Sequence, residues 1–153
     1  MIQADYGAAA VLITLGALIG KCSWTQIFIL VTLEMVFYSL NIAIVKGILK
    51  AMDDGGGITV HLFGAYFGVI SSFFFNGRRA VRDDERRAMF GYNSSTVAMV
   101  GTLFMFVYFP SFNSALLVGS ARMRASINTL LSISASTLVA SFISNVHLGK
   151  FSF

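Results

Sequence analysis

Long uncharged runs, separated by short charged segments, set the pattern of the chain. They cover residues 6–20, 22–33 continued past Glu34 to 45, 55–77, 88–121 and 125–149. About twenty apolar residues carry a helix across a bilayer core. The runs therefore predict five transmembrane helices, near residues 4–20, 24–47, 55–76, 89–109 and 123–147. A membrane-spanning barrel would instead alternate apolar and polar positions over roughly ten residues. Its strands would be too short for these runs. In lipid every backbone N–H and C=O must be satisfied inside its own segment or in a closed barrel, so the class is all-α.

Composition strengthens this reading. Of 153 residues, 56% are hydrophobic and 12% charged, about half of the ~25% charge of a soluble domain. So few charges cannot cover a water-facing surface. The excess of cations also has an ordered placement. Lys21, Arg78, Arg79, Arg82, Arg86, Arg87 and Lys150 fall on one side of a five-helix chain, and Lys46, Lys50, Arg122 and Arg124 on the other. The positive-inside rule puts the larger group in the cytoplasm, with residue 1 external and residue 153 cytoplasmic. Asp83, Asp84 and Glu85 interrupt the arginine loop, which reads as a solvated connector with no nucleic-acid role. The first twenty residues carry Asp5 and no basic flank, unlike a signal peptide. An odd number of spans starting outside reads as the middle of a longer protein.

The third run holds the candidate chemistry. Gly57, His61, Gly64, Ala65 and Gly68 recur at helical spacing and form a stripe of small residues with one ionisable group. Leu62, Phe63, Tyr66, Phe67, Ile70, Phe73 and Phe74 make up the bulky side. Such a stripe admits a neighbouring helix closely or borders a narrow cavity. His61 is either a hydrogen-bonding residue in a tight helix contact or a pore histidine, and the pattern leaves both open. A metal centre is disfavoured, because Cys22 is the one cysteine and His147 the one other histidine. The triple glycine lacks the Lys-Ser/Thr of a phosphate loop and instead frees the chain to turn at a helix start, with Asp53 and Asp54 placed against the positive end of the helix dipole; no cofactor-binding or catalytic constellation is present. Eight residues separate Asp53 from His61, about 12 Å at 1.5 Å per residue, which predicts a histidine at membrane mid-depth facing protein rather than lipid.

The run from Asp53 to Gly68, DDGGGITVHLFGAYFG, resembles the Rh-glycoprotein branch of the ammonium transporter family. The stretch from Gly101 to Ala115, including Tyr108-Phe109-Pro110-Ser111-Phe112-Asn113-Ser114, is similar to the same family's next helix. Arg124-Ala125-Ser126-Ile127-Asn128-Thr129 resembles the opening of the helix after it, and Ala4-Asp5-Tyr6 with Leu18-Ile19-Gly20-Lys21 fits a helix upstream. The similarity runs through residues 1–153 but covers only about the middle third of a family member, a bundle of ~11–12 helices built as inverted repeats. The first and last helices of that fold are not represented in it.

The resemblance implies a function and named residues. Family members conduct ammonia, and some carbon dioxide, through a hydrophobic pore in each subunit of a plasma-membrane homotrimer. His61 matches the first of two pore histidines, and Asp53 the acid that orients the external pore mouth. Phe112 matches one ring of the external gate, and Tyr6 stands where the other ring, usually Phe, is expected. Ile42 replaces a glutamate of many relatives, and Ser95 an aspartate of some. These two losses, with the absent opposite wall, leave an alternative: a non-conducting Rh-like protein with a structural or assembly role. No cofactor or metal is implied.

Three further features have blander readings. Glu34, alone in the second run, matches no pore motif and reads as a buried packing acid, hydrogen-bonded or protonated. Gly16 and Gly20 form a GxxxG pair suited to a helix contact. Asn93-Ser94-Ser95 matches a glycosylation acceptor on the cytoplasmic side, where it stays unmodified.

Overall fold

The structure, a computed structural model, describes residues 2–75 and 92–148, with side chains for 4–75 and 96–146. The Arg78–Arg87 connector, and with it the charge-based orientation, lies outside the described residues, as do the side chains of Ser95 and His147. All regular structure among the described residues is helical. The chain divides into two compact units, Met1–Asp83 and Asp84–Phe153.

The first unit contains α1 (Ile2–Leu18), α2 (Trp24–Ile42) and α3 (Phe63–Phe75). Two π-helical turns extend them: Ala43–Ile48 continues α2, and Gly57–Leu62 leads into α3. Helix α1 stops because Gly20 turns left-handed at φ 78°, which costs glycine little. Lys21 N–H then bonds the Leu18 carbonyl at 2.9 Å. A capping box opens α2 at once. The Ser23 side chain accepts Gln26 N–H at 3.4 Å, and the Gln26 side chain accepts Ser23 N–H at 2.9 Å.

Packing in this unit rests on the close approach of α1 to α3. A Cβ at Gly64 would lie 2.8 Å from the Ala10 carbonyl oxygen, and one at Gly68 would lie 3.1 Å from Thr14 Cα. Ala10, Thr14 and Leu18, one turn apart on α1, are essentially fully buried along this seam. Among the described residues the GxxxG pair makes no helix contact: a Cβ at Gly16 would meet nothing within 4 Å, and Gly20 serves as a helix end. The small residues that matter to α1 are on α3. Gly64→Ala is therefore expected to destabilise the unit by about 1–3 kcal/mol, because backbone cannot yield to the added methyl. Gly16→Ala should be neutral or slightly stabilising. Thermal unfolding of the two variants in detergent checks the contrast, and equal melting points would refute the seam.

The second unit pairs α4 (Tyr92–Asn113) with α5 (Gly119–Leu148). Helix α4 runs past the expected end at 109, carrying Pro110 in its last turn. The proline removes one N–H, while its own carbonyl stays paired: Ser114 bonds it through its hydroxyl at 2.8 Å and its N–H at 3.2 Å. Asn113 donates to Thr129 Oγ1 at 2.8 Å, and Ser126 Oγ to Ser114 Oγ at 2.9 Å, tying the helix junction together. Helix α5 starts at Gly119, before the expected 123, and takes Arg122 and Arg124 into its first turns.

Among the described residues, four helices are long and apolar enough to cross a membrane: Trp24–Ile48, Gly57–Phe75, Thr96–Asn113 and Gly119–Val146. Ala4–Leu18 is a shorter apolar helix. Their outward faces carry large apolar side chains such as Phe28, Phe73, Phe74, Phe104 and Phe142, all more than half exposed. An apolar exterior on this scale suits lipid and not water. The chain is an all-helical integral membrane segment.

Candidate functional site at the start of the third span

Asp53 organises the site. It is 8% exposed, and its carboxylate caps the π-helical turn: Ile58 N–H donates to Oδ1 at 3.1 Å, Thr59 N–H to Oδ2 at 2.8 Å, and the Thr59 hydroxyl to Oδ2 at 2.6 Å. A helix start offers unpaired N–H groups and a partial positive charge, which a carboxylate satisfies on both counts. Burial pushes the Asp53 carboxyl up, but the Thr59 and Ile58 bonds and the Lys46 charge outweigh it and hold the group below the ordinary aspartate range. Asn41 of α2 closes the frame by donating to the Thr59 carbonyl at 3.2 Å.

The glycines give this frame its turn. Gly56 is left-handed at φ 72°, and a Cβ there would lie 2.7 Å from Val60 Cγ2. Only glycine meets both conditions without strain. Its carbonyl then receives Val60 N–H at 2.9 Å and His61 N–H at 3.0 Å. His61 Nδ1 lies 3.0 Å from the same oxygen. A carbonyl has no proton to give, so Nδ1 must be the donor, and in the neutral ring Nε2 is the acceptor nitrogen.

The structure bears on His61 in two ways. Only the second half of the stretch from Asp53 to His61 is helical, because residues 53–56 form the cap and the helix begins at Gly57. His61 lies about 6 Å along the axis from that start, in the first turn of the third span. The small-residue stripe is also broken. A π-helical turn contains an extra residue relative to the α-helix, so Gly57 is exposed and His61 partly buried, while Gly64 and Gly68 face α1. Ala65 is exposed. The tight helix contact and the histidine are thus separate features, not one face.

Tyr6 joins the site. Partly buried on α1, it packs with the cluster of Ala10, Tyr38 and Val60, and its hydroxyl donates to the Asp54 carbonyl at 3.4 Å. The hydroxyl that sets it apart from a phenylalanine has a partner in the cap loop. Ile42 packs against the same cluster, as an apolar residue should. Phe112 belongs to the second unit, where it stacks on Phe109 with centroids 5.7 Å apart and is 47% exposed. The first unit thus brings together Asp53, His61 and Tyr6.

Sequence reasoning passed over Thr59, Asn41 and Thr14. A threonine six residues after an aspartate across a glycine run is a weak capping signal that points to Thr59. Nothing local marks Asn41 or Thr14, whose partners lie 18 to 50 residues away.

Comparison with known proteins identifies the family. The sequence pattern described as Ammonium Transporter Family matches residues 1–153. Ammonium transporter Rh type B of Mus musculus is 42% identical over 139 residues, covering 90% of this chain and 30% of the relative. The Homo sapiens Rh type B protein is 40% identical with the same coverage. Ammonium transporter Rh type C of Rattus norvegicus is 37% identical over 147 residues, covering 95% of this chain and 29% of the relative. The chain therefore spans a little under a third of these relatives. It belongs to the ammonium transporter family.

Proposed function

We propose that this chain supplies one wall of an ammonia-conducting path, in a membrane protein that accepts ammonium at its external mouth and passes ammonia. The observation that carries the reading is the placement of a histidine, with its Nδ1–H committed to the Gly56 carbonyl, one helical turn from a buried carboxylate cap. The matched relatives are named ammonium transporters, which supports the same substrate.

The chemistry follows from solvation. Bare ammonium is costly to move through a ~30 Å hydrocarbon core, whereas neutral ammonia is not. The mouth therefore has to hold the cation, release its proton and admit the neutral molecule. Asp53 keeps the helix start rigid and its ends of N–H and C=O groups ordered. The acceptor nitrogen of His61 offers ammonia N–H groups a hydrogen bond in an otherwise apolar passage. The ring of Tyr6, tied to the cap loop through its hydroxyl, limits this side of the mouth to small molecules. In this reading the opposite wall, with a second histidine, comes from sequence outside residues 1–153, and the complete protein is a plasma-membrane homotrimer.

A stopped-flow pH measurement tests the function. Proteoliposomes carrying a protein of the relatives' length that contains this segment should alkalinise faster than protein-free liposomes when given ammonium. The second reading, a non-conducting Rh-like protein, draws on Ile42, an apolar core residue where an acid would recruit cations. It predicts no difference between the two preparations.

Orientation is tested separately. With Cys22 replaced by serine, an impermeant thiol reagent applied outside intact cells should label Ser120→Cys and leave Ala80→Cys unlabelled. The cation asymmetry between the two sides motivates this expectation, and external labelling of position 80 would overturn the proposed topology.

A further inference from the structure

Glu34 is an acid in the middle of a membrane helix for which the ammonia path has no use. It lies in α2 at 0% exposure. Its Oε1 is 2.5 Å from Thr14 Oγ1 on α1, and that hydroxyl is 3.1 Å from the Gly64 carbonyl oxygen on α3. Oε2 has no hydrogen-bond partner among the described residues.

The proton count decides the state of this group. A threonine hydroxyl has one proton, yet Thr14 Oγ1 meets two oxygens at bonding distance. The Gly64 carbonyl can only accept. If Glu34 were ionised it too could only accept, and one of the two contacts would be lone pair against lone pair. A proton on Oε1 resolves the conflict. Oε1–H donates to Thr14 Oγ1, and the Thr14 hydroxyl is free to donate to Gly64. Oε2 then becomes a carbonyl oxygen, for which burial without a partner is far less costly than for an ionised carboxylate oxygen.

We infer that Glu34 is a neutral carboxylic acid at the head of a hydrogen-bond chain, Glu34 to Thr14 to the Gly64 carbonyl, that positions the start of α3 behind His61. The chain crosses three helices in one direction. It ends three residues beyond His61, at the glycine that meets α1 most closely. Glu34 is a positioning residue in this scheme. The other ionisable groups on the packed elements are Asp5, Tyr6 and Lys21 at the two ends of α1, Tyr38 and Lys46 farther along α2 and its π turn, and His61 and Tyr66 on the third span. Lys21 turns to Ser72 Oγ at 2.7 Å, and Tyr38 packs edge-on to Phe63. The bonds recorded around Oε1 and Thr14 therefore assign the proton without recourse to a neighbouring charge.

The link to ammonia passage rests on the pore reading, whereas the protonation state does not, so the two are tested apart. Infrared spectra of the protein in lipid, wild type minus Glu34→Gln, should contain the carbonyl band of a protonated carboxylic acid at neutral pH, persisting into the alkaline range. A difference spectrum containing only carboxylate bands would overturn the assignment, whatever the protein transports. Stability tests the chain itself. Glu34→Gln keeps an N–H donor for Thr14 and should melt close to wild type, while Glu34→Leu, of similar size without a donor, should melt several degrees lower. Thr14→Val should erase the difference between Gln and Leu. If Gln and Leu at position 34 behave alike with Thr14 intact, the donor chain is refuted. Under the pore reading, Leu lowers ammonia flux severalfold and Gln preserves it. A protein that shows the infrared band but no flux would retain Glu34's protonation and remove the pore reading.

Discussion

Replacing His61 by alanine is expected to lower ammonia permeability about tenfold in proteoliposomes containing a protein of the relatives' length. Ammonia entering an apolar passage gives up its water hydrogen bonds, and the ring nitrogen restores one of them. A net hydrogen bond is worth ~1 kcal/mol, and more where water is excluded. Tenfold in rate corresponds to about 1.4 kcal/mol. The same substitution should hardly change the melting temperature, because the ring is only partly buried and the Gly56 carbonyl keeps the N–H groups of Val60 and residue 61. Loss of flux with stability retained separates a pore role from a packing role. Unchanged flux would leave His61 as a residue of the helix start alone.

Removing the Asp53 carboxylate should have the larger effect on stability. Asp53→Ala deletes the acceptor of two backbone N–H groups and one hydroxyl, the two bonds from Thr59 buried and the one from Ile58 partly so. Hydrogen bonds to a charged group are worth about 1.5–3 kcal/mol each, and donors left unpaired add to the loss. Partial relaxation of the loop offsets some of this, and about 3–5 kcal/mol is the expected destabilisation. Asp53→Asn should fall between the two, since its amide turns a donor toward N–H groups that need an acceptor.

The pH dependence of stability follows from the depressed Asp53 pKa. A carboxyl whose folded pKa lies below its unfolded value contributes its full stability above the unfolded range. That contribution is lost as pH falls through the folded value. Unfolding midpoints recorded from neutral pH down into the acid range should decline for the wild type and lose that part of the decline in Asp53→Asn. Identical acid limbs would show that Asp53 does not carry this linkage.

The same residues mark where reading the chain as text succeeds and where it stops. Five helical segments were legible because lipid imposes one rule, satisfaction of every backbone group within the segment, and uncharged runs record it directly. Their ends were less legible. Pro110 suggests a helix end, but Ser114 supplies a bond to its carbonyl and α4 continues to Asn113. Asp53 was recognisable as a site residue. Its place at a helix start, against the positive end of the dipole, was also legible; that the turn it caps is π-helical was not, since such turns are rare single-turn insertions. That extra residue rotates His61 out of register with Gly64 and Gly68, so a stripe continuous on paper becomes two surfaces.

Glu34 and the glycines of α1 draw the line most clearly. Local composition is enough to establish the helices, their apolar exteriors and the glycine-rich turn before His61, because each depends on residues within a turn or two of one another. Which glycine meets another helix depends on the rotation of two helices about their axes. Gly16 satisfies a contact motif yet meets no other helix among the described residues, while Gly64 abuts the Ala10 carbonyl. Likewise, the sequence shows that Glu34 is an acid in an apolar run. Only the approach of α1 and α3 brings Thr14 and the Gly64 carbonyl into a line that assigns its proton. Contacts across 20 and 50 residues have no local signature, since their energy comes from oxygens that become neighbours only when the helices pack.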